Sequence, residues 1–131
     1  MRIRGARCNA LSMSLRCLIV DDRRAFLDAA RALLEPEGLT ILVASSSADA
    51  LRQAKTFQPD VVLVDVSLRD ESGFELARQL AADHGGTMTV ILISAASEHD
   101  FAELVRRSPA AGFLSKSELS ADAIRRFHDA R

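Results

Sequence analysis

Several residues able to do metal or phosphoryl chemistry follow short apolar runs of the chain. They are the adjacent aspartates Asp21 and Asp22 after CLIV, Asp65 after VVLV, Ser94 at the end of TVILIS and Lys116 after AGFLS. Buried ionised carboxylates are costly unless they are paired or bound to a metal. Two unit charges about 4 Å apart repel by roughly 4 kcal/mol at an effective dielectric near 20, so clustered carboxylates need more compensating charge than one lysine supplies.

A hard divalent cation with oxygen ligands would supply that charge. Mg²⁺ is commonly held by one or two carboxylates, several waters and a substrate phosphate, so the acid cluster also points to a phosphoryl group. A carboxylate can itself be the nucleophile and form an aspartyl-phosphate, whose equatorial oxygens are stabilised by cations and hydrogen-bond donors. The Ser94 hydroxyl and the Lys116 ammonium are suited to that role.

Asp65 is the predicted nucleophile because it stands alone at the end of a central strand, whereas the adjacent Asp21 and Asp22 suit metal coordination. The loop after Asp65, VSLRDESG, offers backbone carbonyls, of which that of Ser67 could be a further metal ligand. Taken singly, each residue has an ordinary explanation as a helix cap or a solvated side chain. Their position at the same end of four different strands favours a common site.

Apolar runs and amphipathic segments alternate along the chain from Arg16, which predicts five strands and five helices. The strands are RCLIV, TILVA, VVLV, TVILIS and AGFLS. Runs this continuously apolar are typical of a parallel sheet covered on both faces, so the predicted fold is a doubly wound α/β sandwich. In such sheets ligands bind beyond the carboxyl ends of the strands, where the polar residues fall.

Apolar residues at helical spacing predict which side chains face the core. They are Phe26, Ala29, Ala30, Leu33 and Leu34 in the first helix, Phe101, Leu104 and Val105 in the fourth, and Leu119, Ala123, Ile124 and Phe127 in the last. The third helix is expected to begin at about Gly73 and to end at Gly85 and Gly86.

Composition limits the classes of protein to consider. At 131 residues and 14.2 kDa the chain has room for one ordinary domain. This domain is expected over residues 15–131, after a disordered leader of residues 1–14. Met13 is a plausible alternative start. A formal net charge of −1 argues against nucleic-acid binding by this chain. No apolar run approaches the roughly 20 residues of a membrane span, and the first dozen residues do not read as a secretory signal. Cys8 and Cys17 do not form a metal-binding pair, and a cytoplasmic location is predicted.

These residues resemble the receiver domain of two-component response regulators over about Leu15 to Ala130. The motifs that carry the resemblance are LIVDD, VVLVDVSLRDESGFEL, VILISA and AGFLSKSEL, in the expected order. The resemblance implies a flavodoxin-like sheet of strand order 2-1-3-4-5. It also implies that Asp65 is phosphorylated by a histidine kinase, a phosphotransfer protein or a small phosphodonor. Mg²⁺ would be held by Asp22, Asp65 and the Ser67 carbonyl, and by Asp21 through water.

The resemblance further implies a conformational switch. Ser94 would move toward the phosphoryl group, which Lys116 also contacts, and Phe113, three residues before Lys116, would swing inward. The added charge of roughly −1.5 to −2 would bias a two-state loop. The face formed by the fourth helix, fifth strand and fifth helix would then change its conformation and so control a partner protein. A second copy of the chain could also bind at this face.

The chain departs from the family pattern at a few positions. Arg69 stands where the loop often has proline, so the loop SLRDESG is expected to be more mobile. Ser117 stands where many members have proline, which leaves the geometry of the Lys116–Ser117 peptide open. A lysine without that proline is more like receivers attached to helix-turn-helix output domains of the nitrate-response type. Ser67 and Ala96, at positions that gate attacking water in the family, are both small, which predicts a phosphoryl lifetime of minutes rather than hours.

Three other functions remain as alternatives. The chain could be a receiver separated from a DNA-binding output domain rather than a receiver that acts alone. A phosphohydrolase with an aspartyl-phosphate intermediate is disfavoured because Ser67 occupies the position of the second acid in the DxD motif. A nucleotide or flavin binder is disfavoured because the first strand is followed by two acids and not by a glycine-rich phosphate loop. The preferred prediction is a signalling receiver that catalyses only its own phosphorylation and dephosphorylation.

Overall fold

The computed structural model describes residues 14–130. Most of the expected leader lies outside the described residues, so the division into residues 1–14 and 15–131 stays a prediction. Within the described range, no helix is long and apolar enough to cross a membrane. The peptide bonds of this range are all trans, including the one between Lys116 and Ser117.

Strand residues build one main sheet and one small hairpin. The strands of residues 14–130 are β1 (Arg16–Val20), β2 (Thr40–Ala44), β3 (Val61–Asp65), β4 (Ser67–Leu68), β5 (Glu71–Ser72), β6 (Thr89–Ser94) and β7 (Gly112–Ser115). Five are parallel in the order β2-β1-β3-β6-β7, which confirms the predicted 2-1-3-4-5 order. The antiparallel pair of β4 and β5 lies inside the polar loop and was not predicted. Val20 pairs with both Ala44 and Val64, so neighbouring strands end at one edge.

Helices cover both faces of the main sheet. Those of the described residues are α1 (Arg24–Leu34), α2 (Ser47–Phe57), α3 (Gly73–His84), α4 (Ala102–Arg107) and α5 (Ala121–Asp129). Serines at the N-caps of α2, α3 and α5 accept backbone N–H groups of the first turn, which satisfies donors that a helix end leaves unpaired. Gly85 ends α3 in the left-handed conformation, at φ 58°, as the glycine pair predicted.

Alternate strand residues enter two separate cores. Leu18 and Leu92 point toward α2 and α3, whereas Ile19 and Leu63 point toward α1 and α5. All four side chains are fully buried. Because burying one such side chain contributes about 1.5–3 kcal/mol, the central strands hold the residues at their ends in place. The two cores confirm the doubly wound α/β sandwich.

The predicted inward faces of two helices are wrong in part. α1 buries Leu27, Ala30 and Leu34, whereas Leu33 is 48% exposed and Phe26 is half-buried. Two overlapping apolar stripes run along this helix, and the angle at which it docks on the sheet selects the one that contains Leu27. In the six-residue α4, Leu104 is 45% exposed.

Two further expectations placed a residue in the wrong element. Phe101 packs against the core from a 3₁₀ turn, Glu98–Phe101, that precedes α4. Leu119 is buried as expected, but it lies before α5 and not in it. Both cases arise because tight turns carry apolar side chains inward without the helical period.

Candidate functional site

Three carboxylates meet at the carboxyl edge of the sheet. Asp21 and Asp22 follow β1 directly, and Asp65 is the last residue of the neighbouring β3. One carboxylate oxygen from each lies within 4.8 Å of the others. Asp21 is fully buried, Asp65 is buried and Asp22 is half-buried. The structure therefore brings together the three acids that strand ends predicted.

Lys116 enters this cluster from the turn after β7. Its Nζ lies 2.5 Å from Asp21 Oδ2 and 3.6 Å from Asp65 Oδ2, and its side chain is 14% exposed. The same Nζ lies 4.4 Å from the centre of the Phe26 ring. Asp21 Oδ1 accepts the backbone N–H of Arg23, whereas Asp21 Oδ2 has the ion pair but no hydrogen-bond donor among the described residues. Asp21 Oδ2 is therefore already paired with one cation, the Lys116 ammonium.

The cluster carries more negative charge than its own cation balances. Three carboxylates against one ammonium leave an excess of two negative charges, which equals the charge of Mg²⁺. Burial raises the pKa of Asp65 above its ordinary value; the Asp21 charge also raises it, while the Ser67 N–H and Lys116 lower it. Arg69 lies 3.7 Å from Asp22 but is 78% exposed, so solvent screens its contribution. An all-oxygen set with this charge fits Mg²⁺.

The loop after Asp65 is held close to the site. The Ser67 N–H donates to Asp65 Oδ1 over 3.3 Å, and the Gly73 N–H donates to the Val66 carbonyl over 3.2 Å. A Cβ on Gly73 would lie 2.0 Å from the Asp65 carbonyl oxygen, so only glycine allows α3 to begin here. The Ser67 carbonyl as a metal ligand stays a prediction.

Ser94 and Phe113 lie in β6 and β7, the next two strands of the sheet after β3. Ser94 ends β6, is buried, and its Oγ accepts the backbone N–H of Ala96 over 3.0 Å. Phe113 in β7 is buried, and its ring centre lies 6.4 Å from that of Phe101. The Ser94 hydroxyl is therefore engaged in its own turn, and Phe113 already points inward. Their roles in switching stay predictions.

Sequence reasoning missed three residues of the site. Phe26 was assigned to the core, Arg69 was seen only as a departure from a family pattern, and Gly73 only as a helix start. A glycine at the start of a helix that follows a polar loop was a usable signal for a close backbone approach. Nothing in the spacing of Phe26 or Arg69 indicated a contact with Lys116 or Asp22, because these contacts cross between elements.

Comparison with known proteins identifies the family. A sequence profile of the response regulator receiver domain matches residues 17–127. The chain is 30% identical to the response regulator GacA of Pseudomonas viridiflava over 84% of this chain and 52% of that protein. It is 31% identical to the protein PilH of Pseudomonas aeruginosa over 77% of this chain and 84% of that one. A receiver domain structure from Clostridium thermocellum superposes with a TM-score of 0.77 at 28% identity, covering 88% of this chain and 93% of that one.

Several of the curated relatives are longer proteins, and the chain spans about a third to a half of their length. The profile match, in contrast, extends from β1 into α5 and includes all three clustered carboxylates and Lys116. The chain therefore belongs to the response regulator receiver domain family of two-component signalling systems.

Proposed function

We propose that Asp65 accepts a phosphoryl group from the phosphohistidine of a histidine kinase or phosphotransfer protein, in a reaction that requires Mg²⁺. The observation that carries this proposal is the cluster of three carboxylate oxygens within 4.8 Å, with the Lys116 ammonium in contact with two of the acids. Asp65 is the nucleophile because it ends the central strand β3. Burial raises the pKa of Asp65 and leaves its carboxylate poorly solvated, which a bound cation would offset.

The proposed metal ligands are Asp22, Asp65 and the Ser67 carbonyl, with Asp21 acting through a water. When bound, Mg²⁺ would offset the charge of the acids and of the transferring phosphoryl group. Asp22 suits direct ligation because it is half-buried and its cationic neighbour, Arg69, is mostly exposed. Asp21 is better suited to an indirect role because Lys116 already lies 2.5 Å from its Oδ2.

In the proposed transfer, an Asp65 carboxylate oxygen bonds to phosphorus as the bond from phosphorus to the donor nitrogen breaks. The Lys116 ammonium, 3.6 Å from Asp65 Oδ2, stabilises charge on the phosphoryl oxygens. The Ser94 hydroxyl donates to one of those oxygens after it leaves the Ala96 N–H. The chain would perform this chemistry on its own Asp65.

The phosphoryl group would switch the face formed by α4, β7 and α5. Its charge of roughly −1.5 to −2 gives Ser94 and Lys116 a new common partner. When Ser94 at the end of β6 moves, the Phe113 ring would repack against Phe101. It would not need to swing in from solvent, because it is already buried. The changed face would bind a partner, which could be a second copy of the chain. A cytoplasmic location fits a domain that receives its phosphoryl group from such a kinase.

A second candidate function is control of transcription through an attached DNA-binding domain. The observation that favours it is the similarity to the transcriptional regulatory proteins CreB of Escherichia coli and PhoP of Bacillus subtilis, of which the chain spans about a third. In that case the switch would act on the attached domain.

The test is incubation with acetyl phosphate and Mg²⁺, followed by intact mass. The wild type should gain one phosphoryl group, and Asp65→Asn should gain none. Asp60→Asn is a matched control because Asp60 precedes the other end of the same strand, where it contacts Arg16, and it should be phosphorylated normally. Chelation of the metal should abolish the gain. Equal phosphorylation of Asp65→Asn, or an inert wild type, would contradict the proposal.

A further inference from the structure

We propose that Phe26 is a positioning residue that holds the Lys116 ammonium at the phosphoryl site through a cation–π contact. The inference rests on the function proposed above. Lys116 Nζ lies 4.4 Å from the centre of the Phe26 ring, inside the roughly 6 Å range of this interaction. The Lys116 side chain is 14% exposed, so water screens the contact only in part.

A second holding contact is needed because the charge partners of Lys116 are the acids of the metal cluster. Nζ is 2.5 Å from Asp21 Oδ2 and 3.6 Å from Asp65 Oδ2. Once these carboxylates share their charge with a divalent cation, their attraction for the ammonium weakens. The Phe26 ring has no formal charge and is not a metal ligand, so its attraction is unaffected. It therefore matters most when the metal and the phosphoryl group are present.

The contact also restricts a flexible side chain without blocking it. A lysine has three rotatable N–H donors at the end of a four-carbon stem, and confining that stem costs entropy. The ring attracts the ammonium from one side, which leaves donors for the phosphoryl oxygens. The position of Phe26 supports this role, because α1 buries Leu27 on its core face and leaves the Phe26 ring half-buried at the margin.

The experiment compares ring-retaining and ring-removing variants by their affinity for beryllofluoride in the presence of Mg²⁺, measured by titration calorimetry. Phe26→Leu keeps an apolar side chain but removes the ring, and its affinity should fall by about threefold to tenfold, as expected for a partly desolvated cation–π contact. Phe26→Tyr keeps the ring and should stay within about twofold of the wild type. The affinity for Mg²⁺ alone should change less than that for beryllofluoride in the Leu variant.

Two controls separate positioning from folding. Phe57→Leu removes a ring that contacts Arg16 at 5.5 Å, away from the acids, and should leave beryllofluoride affinity unchanged. Phe26→Leu should also slow phosphorylation by acetyl phosphate when Lys116 is present, but it should cause no further slowing in a Lys116→Ala background. The inference is wrong if Phe26→Leu binds as tightly as the wild type, if Phe26→Tyr loses as much as the Leu variant, or if the Leu effect persists without Lys116. A wild type that binds no beryllofluoride would instead overturn the proposed function itself.

Discussion

Replacing Asp65 by asparagine should stabilise the protein in magnesium-free buffer at neutral pH. Each of the other two carboxylates lies within 4.8 Å of Asp65, and two charges at that distance repel by about 3.5 kcal/mol at an effective dielectric of 20. The Lys116 ammonium, 3.6 Å away, attracts the Asp65 carboxylate by about 4.6 kcal/mol according to the same relation. Two repulsions against one attraction leave Asp65 destabilising by about 2 kcal/mol, which asparagine would recover.

The gain should depend on pH in a defined direction. Because burial raises the pKa of Asp65, the native state holds this proton more tightly than the unfolded chain does. The stabilisation that this tighter proton binding gives the native state is complete below the pKa of aspartate in the unfolded chain, about 3.9. It is lost as pH rises through the pKa of Asp65 in the native state. The advantage of Asp65→Asn should therefore be small near pH 3 and reach its full size near pH 7.

The assay is urea unfolding with and without Mg²⁺ at both pH values. In magnesium-free buffer at pH 7, the free energy of unfolding of Asp65→Asn should exceed that of the wild type by about 2 kcal/mol. In a thermal melt, the same difference would raise the melting temperature by roughly 8 °C for a domain of this size. Mg²⁺ at about 100 times its dissociation constant should stabilise the wild type by about 2.7 kcal/mol and close the gap. Asp60→Asn is the control and should show no gain, since Asp60 is paired with Arg16. The electrostatic reasoning fails if Asp65→Asn is no more stable than the wild type, or if its advantage is undiminished at pH 3.

The other predictions concern the phosphoryl group, the loop and the buried thiol. Because Ser67 and Ala96 are both small, the aspartyl-phosphate should decay on the order of minutes in native buffer with Mg²⁺, as followed by intact mass; persistence overnight would contradict this. Gly73→Ala should lower the free energy of unfolding by more than about 3 kcal/mol, because its Cβ would lie 2.0 Å from the Asp65 carbonyl oxygen; a urea midpoint like that of the wild type would refute it. Burial raises the pKa of Cys17 to about 12, so peptide mapping after thiol labelling at pH 8 should show Cys17 modified only in denaturant.

Much of the site could be read from the sequence because a parallel sheet brings strand ends to one edge. Asp21, Asp65 and Lys116 each follow an apolar run, and the structure places Lys116 in contact with both acids. Their mutual geometry was not readable, since the 2.5 Å approach of Lys116 to Asp21 depends on how the turn after β7 packs. The contact of Phe26 with Lys116 depends in the same way on the docking of α1.

By itself, the sequence determined the number and order of the βα units, the two-sided burial of the strands and the identity of the clustered acids. The spacing of apolar residues and the position of polar residues after apolar runs are local properties, so they can be read from the sequence directly. Only the tertiary structure decided that α1 buries Leu27 in preference to Leu33, that Leu104 remains exposed and that the loop after Asp65 forms a hairpin. These outcomes depend on helix docking angles and on contacts between distant segments, where several apolar stripes or turn geometries are locally equivalent and packing selects one.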